Sequence, residues 1–526
     1  MGLFWHVEGV DEHEQPFHQR GYVSELKGAV HVKADLPKGR IKKVYAEIPI
    51  GIKENERIFL NGYQTWTYSP EYKRNEKVRG VNHLPLFLIN QFSLDRYGDY
   101  HFVDYHKEGN LHGFSWCYIR DKEQYRLIAS LDELPGYTIF YYRRKTRGLK
   151  LVRDCEGIMC EGSYPLFDLY FATGSEKEVF DGWFNEMGVK PRTNEKIAGY
   201  SSWYNHYQNI NEEIIKKDLE GCKGLFQEGD LFQIDDGWEP YVGDWLMADL
   251  KKFPGGMKQQ ADAIHEAGFK AGIWLAPFVA ETNSYIYQNH PDWFIQVDGK
   301  PWKDGCNWSG FCSLDLDHPE VIAYLEKVFH QVFDEWGFDL VKLDFLYGIA
   351  PFGTSKETRA ARMYRAMELL RKWCGDHLIL GCGVPVMSAF GLVDYCRISC
   401  DVTLDWDDKP HMRIIHRERP STKQAITNIL TRRGLNGRAY LSDPDVFFLR
   451  DENCELTEAQ KDHLAKLDAL LGGVWLMSDN PSEYSEEKRK RYYDYRKLME
   501  AEDVEVHEDS GVISYNLEGE HYILYL

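Results

Sequence analysis

The chain has 526 residues, 43% of them hydrophobic, and at about 150 residues per domain this length suggests roughly three domains or one large barrel with appendages. Its net charge of −20 has the wrong sign for a phosphate backbone, so nucleic acid is excluded as an expected partner. The sequence has no secretion-signal pattern and no apolar run of roughly 18 residues, which predicts no membrane contact and a cytoplasmic location.

The 11 cysteines are scattered, without a CxxC pair. This pattern predicts reduced thiols rather than disulfides or a zinc site. The acidic residues also lack the spacing of an oxygen-ligand loop, so we expect neither a metal nor another cofactor.

Residues 1–182 are predicted to form an N-terminal β-sandwich. Short alternating runs such as residues 29–34 and 137–142 are separated by Gly, Pro and Asp turns, and few stretches have a helical period. Many short strands with such turns are typical of a sandwich.

Residues 183–480 are predicted to form a (β/α)8 barrel. Short apolar strand candidates alternate there with amphipathic helical segments, which indicates parallel βαβ units. No Gly-rich phosphate turn follows the first strand, which disfavours an open dinucleotide-binding sheet. The eight strand candidates lie near Gly199–Trp203, Leu231–Asp235, Ala271–Ala276, Leu340–Phe345, Leu378–Gly383, Val393–Ser399, Arg438–Leu441 and Val474–Met477. Residues 481–526 are predicted to add a helix and a small C-terminal β domain.

Acidic residues follow several of these strands. Active sites of such barrels lie at the carboxyl ends of the strands. An isolated Asp there more often caps the next helix. Lys342 and Asp344, however, share one face of the fourth strand, opposite to Val341 and Leu343, because side chains alternate with period 2. Two charges directed into the mouth of a barrel favour a functional reason, and paired carboxylates with many indoles indicate glycoside hydrolysis, with the sugar left open.

The sequence resembles glycoside hydrolase family 36, the α-galactosidases, and in particular its shorter thermophilic-bacterial type. The order and spacing of several motifs over about 400 residues carry this resemblance. These motifs are residues 61–66 (NGYQTW), 202–204 (SWY), 232–236 (FQIDD), 272–278 (GIWLAPF), 290–293 (HPDW), 342–346 (KLDFL), 380–383 (LGCG), Arg397-Ile398 with Asp401, and 443–445 (DPD).

The resemblance implies a retaining α-galactosidase that uses a double displacement, with Asp344 as nucleophile and Asp401 as acid/base. The expected partner is a small oligosaccharide with a terminal α-linked galactose, such as melibiose or raffinose. The resemblance also implies nine substrate-binding residues: Trp66, Trp203, Tyr204, Asp235, Asp236, Trp274, Lys342, Cys382 and Arg397.

Each implied role concerns a part of the sugar. Asp235 and Asp236 match the carboxylates that hold O4 and O6, and Lys342 matches the residue that binds O3 and O4. Arg397 and Cys382 match residues near O2. Among the aromatic residues, Trp274 matches a wall of the pocket, Trp203 and Tyr204 match further pocket residues, and Trp66 matches a cap contributed by the N-terminal domain.

Several alternatives stay open at this level. Asp405 is the second candidate for the acid/base, four residues beyond Asp401. Trp238, Trp245 and Trp293 are interpreted as barrel packing, and Asp443 and Asp445 as support of the rim. The same scaffold also fits an α-N-acetylgalactosaminidase, a β-L-arabinopyranosidase, a raffinose-synthase-like transglycosylase or a non-catalytic sugar-binding protein. The sequence does not predict the oligomeric state.

Overall fold

The structure is a computed structural model that describes residues 2–81, 83–103, 105, 110–143, 148–407 and 416–526. Its first part consists of strands β1 Leu3–Asp11, β2 Pro16–Val23, β3 Gly28–Ile48, β4 Arg57–Leu60, β5 Glu71–Tyr72, β6 Asn110–Phe114, β7 Trp116–Asp121, β8 Gln124–Ser130, β9 Thr138–Arg143, β10 Gly148–Arg153 and β11 Met159–Gly174, with helices α1 Leu86–Phe92 and α2 Glu176–Met187.

These eleven strands form one antiparallel sheet. The long strands β3 and β11 lie at its centre and pair from Met159–Arg40 to Phe171–Gly28, with two register shifts that bend the sheet. Along β3, buried and exposed residues largely alternate, as expected for a strand with one face on an apolar core. The β-rich N-terminal part is therefore present. Its boundary at residue 182 stays a prediction.

Helix α2 connects this sheet to the second part of the chain. Ser175 and Glu178 form a capping box at its start, and Gly188, with a φ of 67°, ends it. The indole of Trp183 donates to the carbonyl of Ser130 in the sheet (2.9 Å). Its ring lies 5.8 Å from that of Phe390, so the helix packs against both parts.

The second part is a parallel sheet of β12 Ile197–Ser201, β13 Leu231–Ile234, β14 Lys270–Leu275, β20 Leu340–Leu343, β21 Leu378–Gly381, β22 Tyr395–Arg397, β23 Leu441–Asp443, β24 Val446–Phe447 and β25 Val474–Met477. Each strand of this sheet pairs with the next one along the chain, except that β23 and β24 do not pair with each other. β23 pairs with β22, and β24 pairs with β25. Since β25 also pairs with β12, the sheet closes on itself. With β23 and β24 as two pieces of the seventh strand, this is the eight-stranded arrangement of a (β/α)8 barrel.

The helices around the barrel are α3 Trp203–His206, α4 Glu212–Lys223, α5 Gly256–Glu266, α6 Tyr285–Asn289, α7 Pro319–His330, α8 Arg359–Cys374, α9 Thr422–Arg432 and α10 Glu458–Leu471. Short strands in the loop after β14 are β15 Val279–Glu281, β16 Gln296–Val297, β17 Lys300–Pro301, β18 Lys303–Gly305 and β19 Phe311–Ser313. A π-helical turn, Gln331–Glu335, extends α7. Single 3-10 turns are Pro291–Trp293, Leu346–Ile349, Val386–Ala389, Arg433–Leu435, Pro481–Glu483 and Lys497–Glu500. Helix α11 Glu486–Arg496 and strands β26 Glu502–His507, β27 Val512–Leu517 and β28 Glu520–Tyr525 end the chain.

The seventh strand departs from the sequence prediction. The predicted strand Arg438–Leu441 ends where the observed strand β23 begins. Residues 433–440 instead form a 3-10 turn and a further turn, in which Gly437 has a φ of 73°. Arg438 donates to Asp181 of helix α2 (2.7 Å), so this segment joins the two parts of the chain.

A loop of the N-terminal part, residues 61–69, lies on the barrel. Gln64 forms a β-bridge with Pro385, and Thr65 donates its N–H to the carbonyl of Val384 (3.0 Å). The buried guanidinium of Arg432, at the end of α9, donates to Asn61 Oδ1 (3.0 Å) and to the carbonyls of Gln64, Thr65 and Ile398. This loop is therefore held against the carboxyl ends of the barrel strands.

All eleven cysteines are unpaired thiols. Within the described ranges, no helix combines the length and apolar character needed to cross a membrane. The same residues contain no cluster of three or more His, Cys, Asp or Glu side chains arranged to hold a metal ion.

Candidate active site

A cleft of about 770 Å³ opens at the carboxyl ends of the barrel strands, with loop 61–69 and the segment around α1 at its edge. Its inner lining consists of polar and aromatic residues from β13, β14 and β20 and the loops that follow them. The lining residues are Trp66, Leu84, Leu88, Phe92, Leu94, Tyr97, Trp203, Gln208, Asp235, Asp236, Trp274, Cys306, Asn307, Trp308, Lys342, Asp344, Phe345, Asp401, His416, Glu418 and Pro420.

Asp344 is held in place directly after strand β20. Its Oδ2 accepts a hydrogen bond from the indole of Trp274 (3.1 Å), and its Oδ1 accepts from the N–H of Phe345 (2.9 Å). Phe345 has a φ of 53°, in the left-handed region that a bulky residue rarely adopts. This turn ends the strand at the cleft and leaves the carboxylate 8% exposed.

Lys342 lies two residues before Asp344 on the same face of β20, as the alternation predicts. Its ammonium contacts Asp235 Oδ2 at 2.8 Å, at the end of β13. Burial lowers the pKa of Lys342, but the charges of Asp235 and Asp344 more than compensate and raise it above its ordinary value. The lysine is therefore charged, and Gln233 Nε2 also donates to Asp235 (2.8 Å).

Asp401 lies across the cleft in the loop after β22. Arg397 donates from Nη1 to its Oδ1 (2.8 Å), and 39% of the Asp401 side chain is exposed to the cleft. The surrounding protein raises the pKa of Asp401, Arg397 and Lys342 oppose this, and the charge of Asp344 raises it further. Although the side chain faces the cleft, the net direction is upward, which favours the protonated carboxyl.

Arg397 is shared by three carboxyl groups. Besides Asp401, it contacts Asp443 at 3.0 Å and Asp445 at 2.8 Å. Burial raises the pKa of Asp445 to about 7, and Asp401 and Asp443 raise it against the opposing effect of Arg397. Three carboxyl groups thus surround one guanidinium. This excess of negative charge favours retention of a proton within the cluster.

Asp236 is bound by two side chains from neighbouring loops. Gln208 Nε2 and Trp308 Nε1 both donate to its Oδ2, each at 2.9 Å. Burial raises the pKa of Asp236, and burial together with the charge of Asp236 raises that of Glu239, which is buried just beyond it. The two carboxyl groups are therefore arranged to retain a proton between them.

The loop from the N-terminal part contributes Trp66. Its indole donates to the thiol sulfur of Cys382 at 3.2 Å, and its ring contacts that of Phe345 edge-on, with centroids 5.0 Å apart. Gly383 follows Cys382 with a φ of 58°, and a Cβ there would lie 2.9 Å from the Trp66 ring. The indole is therefore packed closely against the loop after β21.

Eight of the predicted site residues line the cleft: Trp66, Trp203, Asp235, Asp236, Trp274, Lys342, Asp344 and Asp401. Three others lie beneath its surface. Tyr204 donates to Asp445, Arg397 binds its three carboxyl groups, and Cys382 accepts from Trp66. Asp405 is not among the lining residues and accepts from Thr403 Oγ1 at 3.2 Å.

The Trp residues interpreted as packing are buried. Trp238 and Trp245 have no exposed surface and Trp293 has 8%. Asp443, interpreted as support of the rim, is 1% exposed and pairs with Arg397.

Several lining residues were not predicted from the sequence. Gln208 and Trp308 reach Asp236 from loops that precede and follow its own strand, and no motif connects the three. Leu84, Leu88, Phe92 and Leu94 come from the N-terminal part, more than a hundred residues before the barrel strands whose residues line the same cleft. An exposed apolar run after a Pro-flanked turn is the one signal that marks this segment.

Comparison with known proteins connects this fold and site to a family. The family model described as Melibiase matches residues 192–370. Mel36A, an α-galactosidase of Lactobacillus acidophilus, is 32% identical over 177 residues, which are 32% of this chain and 23% of that protein. This match thus spans about a quarter of the curated relative's own length.

Solved structures extend the likeness to nearly the whole chain. TtGalA, an α-galactosidase from Thermus thermophilus solved with p-nitrophenyl α-D-galactopyranoside, is 25% identical, with a TM-score of 0.77 over 99% of this chain and 96% of that one. A TtGalA complex with stachyose gives 26% and 0.73 over 90% and 96%. AgaA of Geobacillus stearothermophilus, a GH36 α-galactosidase, shares the fold at 14% identity, with a TM-score of 0.61 over 95% and 71%.

Fold and matches together define the class of architecture, a (β/α)8 barrel with an appended β domain, which the solved α-galactosidases share with this chain. In sequence and fold the chain is similar to the α-galactosidases of glycoside hydrolase family 36.

Proposed function

We propose that the protein is a retaining α-galactosidase that removes terminal α-linked galactose from oligosaccharides. Asp344 is the nucleophile and Asp401 the acid/base. The observation that carries the proposal is their contrasting environment in one cleft: Asp344 accepts two hydrogen bonds, whereas Asp401 shares Arg397 with two other carboxyl groups and has a raised pKa. One group is prepared to attack and the other to hold a proton, the division of roles that a double displacement needs.

In the first step, a carboxylate oxygen of Asp344 forms a bond to the anomeric carbon. The bond between that carbon and the glycosidic oxygen breaks, and the oxygen takes the proton of Asp401. In the second step, Asp401 removes a proton from water, and the water oxygen displaces Asp344 from the anomeric carbon. Two inversions return the α configuration, so the sugar is released with retention.

Recognition of galactose is proposed to rest on the inner lining. Asp235 pairs with Lys342, so its carboxylate can accept from one ring hydroxyl while the ammonium of Lys342 donates to an adjacent one. Gln208 and Trp308 both donate to Oδ2 of Asp236, and these two hydrogen bonds fix the plane of its carboxyl group. The walls are the indoles of Trp66, Trp203 and Trp274, which suit the apolar C–H faces of a sugar. A related enzyme solved with stachyose supports an oligosaccharide substrate.

A panel of nitrophenyl glycosides tests the specificity. We expect cleavage of the α-galactoside and at least a hundredfold lower kcat/KM for the α-N-acetylgalactosaminide and the β-L-arabinopyranoside. A preference for either of these would replace galactose in the proposal. An excess of galactosyl transfer to raffinose over hydrolysis would make the protein a transglycosylase.

The nucleophile is tested with Asp344→Gly and external azide. The variant should lose nearly all turnover, and azide should restore part of it and yield β-galactosyl azide, because the anion attacks from the face that Asp344 occupied. Asp405→Gly is the matched control and should keep most activity without an azide adduct. A β-galactosyl azide from Asp405→Gly and none from Asp344→Gly would transfer the nucleophile's role to Asp405, whereas an α-galactosyl azide from Asp405→Gly would assign Asp405 the acid/base role.

A further inference from the structure

The outer part of the cleft has a wall of apolar side chains that the proposed chemistry does not use. Leu84, Leu88, Phe92 and Leu94 line it. Leu88 and Phe92 are four residues apart on α1, and therefore lie on one face of the helix. We call these four residues the apolar wall.

The apolar wall is not explained by packing of the N-terminal part. Ile89 is the buried residue of α1, whereas Leu84, Leu88 and Leu94 of the wall are partly exposed and Phe92 is 46% exposed. A seven-residue helix with one buried side chain gains little from folding alone. Exposed apolar surface of this kind next to a site indicates a ligand.

The segment is fixed to the barrel rather than free. Tyr97 donates to Asn307 Oδ1 (2.6 Å), and the thiol of Cys306 donates to the carbonyl of Phe92. The guanidinium of Arg96 lies over the ring of Trp302, 3.8 Å from its centroid. The wall therefore keeps its position relative to the catalytic rim without a bound ligand, which lowers the cost of binding.

Polar groups in the outer lining are largely engaged within the protein. Glu418 accepts from Thr67 Oγ1 (2.8 Å) and from the hydroxyl of Tyr100 (2.6 Å). Asn307 Oδ1 accepts from Tyr97, and Gln208 donates to Asp236. His416 Nδ1, also in this lining, has no hydrogen-bond partner among the described residues, but it is buried, and an apolar group would meet the uncovered carbon surface of the wall.

We infer that the apolar wall is a leaving-group subsite, and that the enzyme prefers α-galactosides whose aglycone is an alkyl or similarly apolar chain. The inference rests on the proposed function. Galactose occupies the inner lining, the glycosidic oxygen faces Asp401, and the aglycone extends from that oxygen into the rest of the same cleft. The wall is the apolar surface available there among the described lining residues.

A series of n-alkyl α-galactosides tests this inference, because ethanol and octanol are nearly equal as leaving groups. We expect kcat/KM at submicellar concentrations to rise from ethyl to octyl by at least about 30-fold, since each buried CH2 contributes up to about fourfold. Equal values for ethyl and octyl galactoside would overturn the inference.

Phe92→Ser and Phe87→Ser form a matched pair on α1. Phe92→Ser should remove most of the dependence on chain length, measured as the ratio of kcat/KM for octyl to that for ethyl galactoside, whereas Phe87→Ser should keep that ratio, because Phe87 is 67% exposed and does not line the cleft. If both variants change the molecular mass in light scattering and neither changes chain-length dependence, this surface joins two copies of the chain and the inference is wrong.

Binding separates the two proposals. Asp344→Asn should bind octyl α-galactoside at least about tenfold more tightly than ethyl α-galactoside in calorimetry, with a more negative heat-capacity change. If the wild-type protein hydrolysed no galactoside but octyl α-galactoside still bound more tightly than ethyl α-galactoside, the proposed function alone would be contradicted. Hydrolysis of every alkyl galactoside without discrimination would contradict the apolar subsite alone.

Discussion

The ammonium of Lys342 lies 2.8 Å from the carboxylate of Asp235, and these side chains are only 8% and 2% exposed at the base of the cleft. The pair joins the ends of β13 and β20, which lie on either side of β14 in the barrel. Removal of one partner leaves the other as a buried, unpaired charge, which costs more than the pair itself contributes.

We therefore expect Lys342→Met to lower the free energy of unfolding by about 3–5 kcal/mol and to abolish measurable turnover. The double variant Lys342→Met/Asp235→Asn should recover much of that stability, since no unpaired charge remains, but no activity. Denaturant unfolding and kcat/KM check the two parts separately. Additive losses in the double variant would contradict electrostatic coupling between the two residues.

Asp401→Asn tests the proposed acid role of Asp401 with two substrates whose leaving groups differ in their need for a proton. With an alkyl galactoside, whose oxygen needs a proton, kcat/KM should fall by about 10²–10⁴-fold. With 2,4-dinitrophenyl α-galactoside, which leaves unprotonated, the galactosylation step should be nearly unchanged. Equal losses on both substrates would assign Asp401 a structural role and return Asp405 to consideration.

The pH profile provides a second measure of the same group. In the proposed mechanism Asp401 must be protonated for the first step, so kcat/KM on alkyl galactosides should fall as pH rises through its pKa, which the surrounding protein and the charge of Asp344 raise. The dinitrophenyl substrate should lack this alkaline decline. A decline of the same position on both substrates would assign it to another group.

Glu133 gives a pH dependence of stability away from the cleft. Burial raises its pKa from 4.5 to about 7, although the N–H of Thr138 and the charge of Arg153 oppose this. The folded state thus binds its proton more tightly than the unfolded state. Stability from this group is complete below pH 4.5 and is lost as pH rises toward 7, at up to about 1.4 kcal/mol per pH unit.

Glu133→Gln should therefore flatten the decline of the thermal midpoint between pH 4.5 and 7. The amide can still accept from Thr138, and the hydroxyl of Ser115 can reverse its role toward it. Asp132→Asn, at a partly exposed residue whose charge contributes least to the raised pKa of Glu133, is the neighbouring comparison and should change the slope much less than Glu133→Gln. Parallel profiles for wild type and Glu133→Gln would contradict the raised pKa.

Arg432→Met tests the junction between the β domain and the barrel. The change leaves the carbonyls of Gln64, Thr65 and Ile398 without their buried donor. At about 1–3 kcal/mol for each unsatisfied group, we expect a loss of several kcal/mol. Because loop 61–69 carries Trp66, kcat/KM should also fall. Arg438→Met, which breaks one partly exposed ion pair, should change both quantities little.

Much of the barrel could be predicted because its strands are short apolar runs with clear ends. The eighth strand was predicted at Val474–Met477, as observed, and Lys342 and Asp344 followed from the period of two. The seventh strand was not predicted at its observed position. Pro444 and Asp445, the latter with a φ of 92°, divide it into β23, which pairs with β22, and β24, which pairs with β25.

The cleft's outer lining could not be predicted for a different reason. Trp308 and Gln208 converge on Asp236 only after three loops have folded, and α1 reaches the barrel through contacts such as that of Tyr97 with Asn307. Local propensity contains no information on such long-range placement. Trp66 was identified through the resemblance to a family, since nothing in its own segment indicates which strand it meets.

The hydrogen bond between Trp66 and Cys382 joins residues 316 positions apart in the chain. One wall of the pocket thus belongs to a polypeptide segment that the barrel does not contain. If the two parts were produced as separate fragments, each would lack part of the proposed galactose pocket. Only reassembled pairs of fragments would then be active, so the turnover rate would measure how much of the two fragments had reassociated.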